Sequence, residues 1–485
     1  MSMKSCMGSL RVASTSCQSV ALALTAGGAL ADDLPISQAS DYRLPATQFL
    51  RCNEDWSILK ETPADLLPLP LRYKYIPINA EGDIWVSFGG HSSVRIENWR
   101  NFAFAAPAVN TDSFLLQRYV VHADWHVGEH LRLFSEFKHA DVSGRELPGG
   151  KRPVDKDSTE LQQLFFDVNI PLGADNSSLI LRAGRQEFSF GNQRLVSPLP
   201  WANALRQWDG LAGIYKVQQW EIQGFYSQFV PVEQRGVNST DHDNQLFGVY
   251  ATQKLGAQSG MDYYWLGIDR KNRSFNGSQG DEERQSFGVR HWGRLREGRL
   301  DYELEATWQT GELGGHDISA AMLAGKLGYS LPEWYAQPRL TLGFDYASGD
   351  GSAGGKVGTF NQLFPLGHAY LGYIDIVGRQ NIVDVSPGVT FSPLAKATVS
   401  VESHFLSRAR KADALYDAGG NVVRPGDLRA GRNIGTELDI TFNYRLSSRI
   451  SMLFGYSYLF AGDFLKDTGS AEDIRFFYGQ VQLTF

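Results

Sequence analysis

Hydrophobic and polar residues alternate along much of the chain, which is the period-two pattern of β-strands. In residues 300–309, LDYELEATWQ, apolar side chains occupy every second position, and acidic or polar side chains occupy most of the others. The same pattern recurs at residues 118–127, 339–346 and 437–444. It predicts about eighteen strands, covering residues 83–99, 114–127, 130–141, 161–170, 177–188, 210–217, 219–229, 245–254, 261–269, 284–293, 299–310, 319–329, 338–347, 384–392, 396–407, 434–445, 449–460 and 475–485.

The final strand has the character of a membrane strand. In residues 476–485, FFYGQVQLTF, one face is apolar and the other largely polar, and the run closes on the aromatic Phe485. Only helices and closed barrels satisfy their backbone in lipid, and no later run of about 18 apolar residues follows the N-terminal region. We therefore expect an all-β fold, a transmembrane antiparallel β-barrel of about 18 strands and of outer-membrane type, over residues 82–485.

The lengths of the links between strands support this fold. Links after even-numbered strands are short, whereas most links after odd-numbered strands are longer. Outer-membrane barrels have short periplasmic turns and longer outer loops, so both termini are expected in the periplasm. A soluble all-β array is the alternative, but nothing in such an array would make short and long links follow one another in turn. The long links are residues 142–160, 189–209, 230–244, 270–283, 348–383, 408–433 and 461–474.

The N-terminal region has the features of a secretory signal peptide. Lys4 and Arg11 precede a short apolar run, and Ala29–Ala31 forms an A-x-A cleavage site. We predict a signal peptide over residues 1–31, with cleavage near Ala31/Asp32 and export to the Gram-negative outer membrane. A buried N-terminal helix is the alternative.

A lead-in segment is expected to follow the signal peptide. Residues 32–81 lack clear periodicity and contain several prolines, which argue against a sheet. We predict a periplasmic segment near the mouth of the barrel. Cys6 and Cys17 are lost with the signal peptide, so Cys52 remains without a disulfide partner.

Composition narrows the class of protein. Aromatic residues make up 12% of the chain, although the mean hydropathy is only −0.27. This combination suits a large barrel, because the hydropathy of its apolar lipid-facing residues is averaged with that of its polar lumen-facing residues. Removal of the signal peptide leaves 44 basic and 53 acidic residues, a formal charge of −9, which argues against nucleic-acid binding. Aromatic residues that fit interfacial girdles are Trp85, Trp99, Trp125, Tyr329, Tyr346, Tyr444 and Tyr458.

The apolar parity of the strands places many charged residues inside the barrel, because a basic side chain facing lipid costs about 2–4 kcal/mol at mid-depth. Basic residues dominate the first third of the chain and acidic residues the later part. This order predicts a basic wall opposite an acidic one, which would select charged or polar solutes. Pairing of these charges across strands is the alternative. The inward residues are Arg95, Arg118, Arg132, Lys138, Arg182, Lys216, Asp301, Glu303, Glu305, Glu437 and Asp439.

The densest cluster of arginines lies in residues 181–209. Arginine presents a planar fork that matches carboxylates, and Trp201 and Trp208 could stack on sugar rings. We predict that this loop folds into the lumen and constricts it. An extracellular loop closed by Arg–Asp pairs is the alternative. The candidate pore-lining or substrate-contacting residues are Arg95, Arg118, Arg132, Arg182, Arg185, Arg194, Arg206, Asp124, Asp209, Glu437 and Asp439.

Enzyme motifs are weak in this chain. Residues 349–356, GDGSAGGK, do not meet the spacing of a phosphate-binding loop. His122 and His126 lie four residues apart on a strand, about 13 Å, which is too far for both to bind one metal ion. We therefore expect no catalytic residues, no bound metal and no cofactor.

The cluster resembles the alginate export family. The resemblance lies in the run GRQEFSFGNQRL at Gly184–Leu195 and the run WANALRQWDG at Trp201–Gly210, and it extends over about residues 83–485. It implies an eighteen-stranded outer-membrane channel, in a family that includes exporters of acetylated alginate. It also implies that the candidates for contact with carboxylates are Arg118, Arg132, Arg182, Arg185, Arg194 and Arg206.

The expected function is passive diffusion through the outer membrane. The first hypothesis is export of an anionic polysaccharide such as alginate, and the second is uptake of small anionic or aromatic nutrients. The acidic inner residues would repel a strongly anionic polymer. An outer-membrane hydrolase is a third hypothesis. The expected partners are the solute and membrane lipids, with periplasmic export or assembly proteins as further candidates, and no nucleic acid.

Overall fold

The computed structural model describes residues 47–173, 177–234 and 236–485. The predicted signal peptide and its cleavage site lie outside these residues. Eighteen long strands form one antiparallel barrel, as predicted. They are β1 Ile84–Arg100, β2 Asp112–Val127, β3 Leu131–Ser143, β4 Asp157–Pro171, β5 Ser178–Gln186, β6 Gln207–Val217, β7 Trp220–Val230, β8 Asn244–Gly256, β9 Ser259–Phe275, β10 Ser278–Leu295, β11 Leu300–Leu313, β12 His316–Ser330, β13 Arg339–Ala347, β14 Ile382–Leu394, β15 Ala397–Arg408, β16 Asn433–Arg445, β17 Ile450–Ala461 and β18 Ile474–Thr484.

The barrel closes between its first and last strands. Each strand pairs with its neighbour in the chain, and β1 pairs with β18 from His91 opposite Thr484 to Arg100 opposite Arg475. This closure gives backbone groups at the seam the partners that hydrocarbon cannot supply. In the described part of the chain, no helix is both long and apolar enough to cross a membrane.

The helices of the described residues are all short. Those of α type are α1 Leu69–Arg72 and α2 Asp463–Thr468. A short strand at Ile76–Pro77 pairs with β1, and Leu415–Tyr416 forms a small hairpin with Val422–Arg424. The 3₁₀-helices are Arg51–Asn53, Ser57–Leu59, Ala64–Leu66, Phe102–Ala105 and Gly367–Ala369.

Alternation of residues separates the lipid face from the lumen. On β11, Leu304 and Trp308 are each 51% exposed, whereas Glu305 is 5% exposed and Gln309 is fully buried. The charged residue therefore faces inward, where it avoids the cost of hydrocarbon contact.

Two of the predicted girdle tryptophans do not face lipid. Trp85 is buried and stacks on His126, with ring centroids 3.9 Å apart. Trp99 is also buried and stacks on Phe476 at 4.0 Å. Their positions in the girdle were predicted wrongly, because both lie on the inward face of β1.

The prediction of a loop at residues 270–283 is wrong. β9 and β10 continue to a two-residue turn at Asn276 and Gly277, whose φ angles are 40° and 87°. Positive φ at both positions is typical of tight hairpin turns. The segment is almost entirely polar, so it lacked the hydrophobic alternation that marks strands in lipid.

The described residues before β1 form an N-terminal strap, residues 47–83, at the end of the barrel with the short turns. The guanidinium of Arg51 donates hydrogen bonds to the carbonyls of Gly90 and Phe485, each at 3.1 Å. The ammonium of Lys74 also donates to the carbonyl of Phe485, at 3.2 Å. The strap therefore bridges β1 and the residue that follows β18.

The lipid face yields a stability prediction. Leu323, near the middle of β12, is 49% exposed on the lipid side. We expect Leu323→Arg to lower the free energy of unfolding by about 2–4 kcal/mol, because the charge would lie deep in hydrocarbon. Leu394→Arg, beside a short turn, is the control and should cost at most about 1 kcal/mol. Urea unfolding in lipid vesicles measures both values, and equal costs would contradict the assigned membrane depth.

Candidate functional site in the barrel lumen

Two long links fold into the barrel. Residues 187–206 connect β5 to β6, and residues 348–381 connect β13 to β14. Val196 of the first loop forms a parallel bridge with Phe364 of the second. The N–H of Phe364 donates to the carbonyl of Leu195 at 2.8 Å. The two loops thus meet inside the lumen and narrow it together.

Buried ion pairs attach both loops to the barrel wall. The guanidinium of Arg194 lies 3.0 Å from the carboxylate of Glu305 and also pairs with Glu303, both on β11. In the second loop, Nε of Arg379 lies 2.8 Å from the carboxylate of Asp345 on β13. Because these groups are largely withdrawn from water, losing one partner would leave an uncompensated charge. The loops are therefore held firmly.

Most of the predicted lumen arginines are neutralised locally. Their partners lie on the same strand or on an adjacent strand, so the wall carries acids beside its bases. The predicted separation into a basic wall and an acidic wall is therefore wrong, and pairing across strands is what the structure shows. The pairs are Arg95 with Glu97 at 2.8 Å, Arg132 with Asp124 at 2.7 Å, Arg182 with Asp167 at 2.8 Å, and Arg185 with Asp209 at 2.8 Å and with Glu160 at 2.5 Å.

The two acids predicted on the far wall are covered by the second loop. Glu437 and Asp439 on β16 are both buried. The carboxylate of Glu437 accepts a hydrogen bond from the N–H of Ile374 at 2.8 Å, and that of Asp439 accepts one from the N–H of Tyr373 at 3.4 Å. These acids hold the loop against the wall.

Trp201 of the first loop and Trp208 at the start of β6 have different surroundings. Trp208 is fully buried and packs against Phe188 and Phe364, so the prediction that it stacks on sugars is wrong. Trp201 lies between the ring of His368, 3.8 Å away and nearly parallel, and the guanidinium carbon of Arg95, 3.9 Å from the ring centroid. Both faces of Trp201 therefore have protein neighbours.

Two predicted arginines form no ion pair within the described residues. Arg118 donates to the carbonyls of Pro200 at 3.1 Å and Ala202 at 2.6 Å, and its Nε has no hydrogen-bond partner. Arg206 donates to the carbonyl of Pro365 at 2.8 Å. Burial, followed by the charge of Arg270, lowers the pKa of Arg206 to about 10, so it stays charged at neutral pH. Neither guanidinium is therefore in ion-pair contact with a carboxylate of the described residues.

Arg118 faces a cavity of about 420 Å³ in the lumen, which we name the Arg118 chamber. The first loop contributes Glu187 and Trp201 to its lining, and the second loop contributes His368 and Tyr373. Phe49 and Arg51 of the strap line it as well. The sequence did not indicate His368 or Tyr373. Both lie in the loop of residues 348–381, which has no hydrophobic periodicity, so its path into the lumen could not be predicted.

The electrostatics of the chamber favour an anion. Burial, reinforced by the nearby charge of Glu136, raises the pKa of Glu187 to about 8. Glu187 is therefore mostly neutral at pH 7, while Arg118 remains charged. Burial, with the charge of Arg95, holds the pKa of His368 well below its usual value. The chamber thus holds the positive charge of Arg118, which the loop residues do not cancel at neutral pH; Glu136 of the wall is the other carboxylate in its lining and forms no ion pair with Arg118.

The attachment of the first loop can be tested at Arg194. We expect Arg194→Ala to give larger and noisier single-channel conductance, because the loop loses about 3 kcal/mol of attachment when a buried pair is broken. Arg299→Ala is the control, since Arg299 pairs with Glu333 in exposed turn residues. Planar-bilayer recording compares the two variants. Unchanged conductance in Arg194→Ala would show that the loop is held by other contacts.

Ion selectivity should depend on pH through Glu187. As pH rises from 7 to 9 through its pKa of about 8, Glu187 gains a negative charge near Arg118, so the anion/cation permeability ratio should fall. We expect Glu187→Gln to remove this dependence, whereas Glu333→Gln in an exposed turn should retain it. Reversal potentials across a salt gradient report the ratio. A pH dependence that persists in Glu187→Gln would assign the titration to another group.

Comparison with known proteins identifies relatives of the chain. The sequence model of a family described as alginate export matches residues 84–478. A search of curated proteins gives no match.

Several solved outer-membrane structures share the fold. OccK11 (OpdR) from Pseudomonas aeruginosa aligns with a TM-score of 0.51 and 10% identity, over 83% of this chain and 96% of that one. OccAB1 from Acinetobacter baumannii gives 0.55 and 13%, over 82% and 96%. OpdK from Pseudomonas aeruginosa, solved with vanillate, gives 0.54 and 9%, over 82% and 98%. At these identities the similarity shows the fold alone.

Proposed function

The chain belongs to the alginate export family and forms an outer-membrane channel, and from this premise we propose that it selects small solutes that carry a carboxylate. The observation that carries the proposal is the charge of Arg118, which faces the chamber without an ion pair in the described residues. A guanidinium matches a carboxylate in geometry and charge. The paired arginines lack this free charge.

The size of the chamber supports a small solute. A cavity of about 420 Å³ falls within the range of roughly 300–1,000 Å³ that is typical of small-molecule sites. Trp201, His368 and Tyr373 contribute to its lining, so an anion with an apolar body would fit. This lining favours organic carboxylates over chloride, because chloride has no apolar body to contact it.

Selective passage follows from a balance of attraction and release. A solute entering the lumen would exchange part of its hydration for contact with Arg118 while neutral Glu187 adds no repulsion. Conduction also requires binding weak enough for the solute to leave. Here the guanidinium is shared with the carbonyls of Pro200 and Ala202, which compete with the solute for its N–H groups. The proposed residues thus provide weak, reversible binding.

Export of an anionic polysaccharide is the second candidate function. The description of the matched family favours it. A polymer would require the loops at residues 187–206 and 348–381 to move away from the lumen centre. Deletion of the gene would then trap polymer in the periplasm, whereas the first proposal expects slower growth on a particular carboxylate. The family and fold are those of channels, which favours both candidates over the hydrolase.

The route to the membrane is part of the proposal. We propose that residues 1–31 are a signal peptide cleaved near Ala31/Asp32, and that residues 32–81 form a segment at the periplasmic mouth of the barrel, from which Phe49 and Arg51 reach the Arg118 chamber. The position of the strap at the short-turn end supports this orientation, since short turns of outer-membrane barrels face the periplasm. Lipids of the outer membrane and proteins of periplasmic export or assembly are the proposed partners.

The role of Arg118 can be tested by charge removal. We expect Arg118→Gln to weaken block of the channel by benzoate or glucuronate about tenfold, because a charge-assisted hydrogen bond contributes about 1.5–3 kcal/mol. The matched control is the double variant Arg182→Gln and Asp167→Asn, which removes an existing ion pair without changing net charge. Single-channel dwell times measure the block. Equal effects in both variants would overturn the assigned role of Arg118.

A further inference from the structure

Two arginines lie side by side on the outer surface of the barrel seam. Arg100 is the last residue of β1 and Arg475 is the second residue of β18, and the two are directly opposite in the antiparallel pairing. Both side chains are exposed. The adjacent residues Trp99 and Phe476 are buried on the inward face, so the pleat turns both guanidinium groups away from the channel. We name Arg100 and Arg475 the seam arginines.

The seam arginines lie at the level of a membrane interface. Ten residues separate Arg475 from Phe485 at the short-turn end, which corresponds to about 33 Å along a strand. With a strand tilt of about 40°, this length spans about 25 Å of depth, the height of the apolar band of such barrels. The outward residues between them include Phe477, Val481 and Leu483, which are apolar. Arg475 therefore lies where β18 leaves hydrocarbon and enters the headgroups on the long-loop side.

The described part of the chain gives neither guanidinium an ion pair or a hydrogen bond. The guanidinium carbon of Arg475 lies 5.5 Å from the ring centroid of Tyr458 on β17, which is an attraction but adds no negative charge. Like charges that face each other across two strands destabilise the pairing. The seam arginines therefore cost the barrel stability unless an anion lies between them.

Asp473, two residues before Arg475, does not neutralise them. Its Oδ2 accepts a hydrogen bond from the hydroxyl of Tyr458 at 3.0 Å, and its Oδ1 accepts one from the N–H of Ala461 at 2.9 Å. These bonds hold the carboxylate against β17, beyond ion-pair distance of Arg475. Two guanidinium groups outweigh this hydrogen-bonded carboxylate, so the surface attracts anions.

We propose that the seam arginines bind the phosphorylated sugar head of an outer-leaflet glycolipid, of which lipid A is the chemical type. A guanidinium donates two parallel N–H groups to phosphate oxygens. Opposite residues on adjacent strands have Cβ atoms about 5 Å apart, so both arginines could bind one phosphate. Tyr456 and Phe477, which are 41% and 43% exposed at a deeper level, would contact the acyl chains.

The charge of the site favours this lipid over a phosphatidylethanolamine. A phosphate monoester carries about two negative charges at pH 7, which match the two guanidinium groups. Phosphatidylethanolamine carries an ammonium beside its phosphate, and the arginines would repel it. The proposal goes beyond the channel function. It rests on the proposed orientation, in which the long loops face the cell exterior.

The test uses the full chain purified in a non-ionic detergent, with lipid A as the probe and native mass spectrometry as the measurement of binding. We expect the double variant Arg100→Gln and Arg475→Gln to bind lipid A roughly thirtyfold more weakly, because each arginine contributes about fivefold near an anionic surface. The matched control is Arg296→Gln with Arg445→Gln, which removes two exposed arginines at the short-turn end. The control should bind lipid A as the unaltered chain does.

Three results would overturn the lipid site. Equal affinity of the seam variant and the unaltered chain would show that the arginines do not bind the head, and an equal loss in the control would indicate a general effect of charge. Retention of lipid A after chemical removal of its phosphates, with unchanged affinity, would assign the binding to the acyl chains. Inorganic pyrophosphate that binds as tightly as lipid A would assign a site for a soluble phosphate instead.

A single substitution keeps the proposal testable if the double variant does not fold. Without lipid A, Arg100→Gln should unfold at the same temperature as the unaltered chain or a higher one, because repulsion is removed. Lipid A should then raise the unfolding temperature of the unaltered chain more than that of Arg100→Gln. Equal increases would contradict the proposal.

The orientation and the channel function have separate tests. A maleimide that cannot cross the membrane should label Ser470→Cys in intact cells, because Ser470 is exposed in the long link before β18. Lack of labelling would overturn the orientation and the lipid site with it. Loss of the lipid site with a retained effect of Arg118→Gln on channel block would leave the proposed channel function standing.

Discussion

The need to satisfy every backbone amide in hydrocarbon is the constraint on which this structure depends. A sheet can meet it only by closing on itself, and the pairing of β1 with β18 provides that closure. Once the barrel is closed, the pleat assigns alternate residues to lipid and to the lumen. Charged side chains must then share the interior, where each needs a partner or contact with solvent.

This interior differs from a simple wet pore because protein loops and ion pairs occupy much of it. Arg194 and Arg379 form ion pairs that hold the loops to the wall. Arg132 and Arg182 form ion pairs with acids on neighbouring strands. The number of arginines therefore does not measure the attraction of the lumen for anions. What matters is the smaller group, such as Arg118, that forms no ion pair among the described residues and donates to backbone carbonyls instead.

The strands were predictable from the sequence because lipid imposes a period-two signal on each of them. The signal faded at residues 270–283, where the hairpin is polar. Ion pairs such as Arg182 with Asp167 could not be assigned from parity, since they depend on the register between strands. The burial of Trp208 and the place of His368 depend on loop paths, which follow tertiary contacts instead of local pattern.

The strap gives the barrel seam a property that the sheet alone would lack. Arg51 contacts Gly90 on one side of the seam and Phe485 on the other, so its docking surface is complete only after the two edges have met. A partly zipped intermediate would leave this segment undocked and open to cleavage. Resistance of the strap to a periplasmic protease would therefore mark completed assembly, and its release would be an early step when the barrel unravels from the seam.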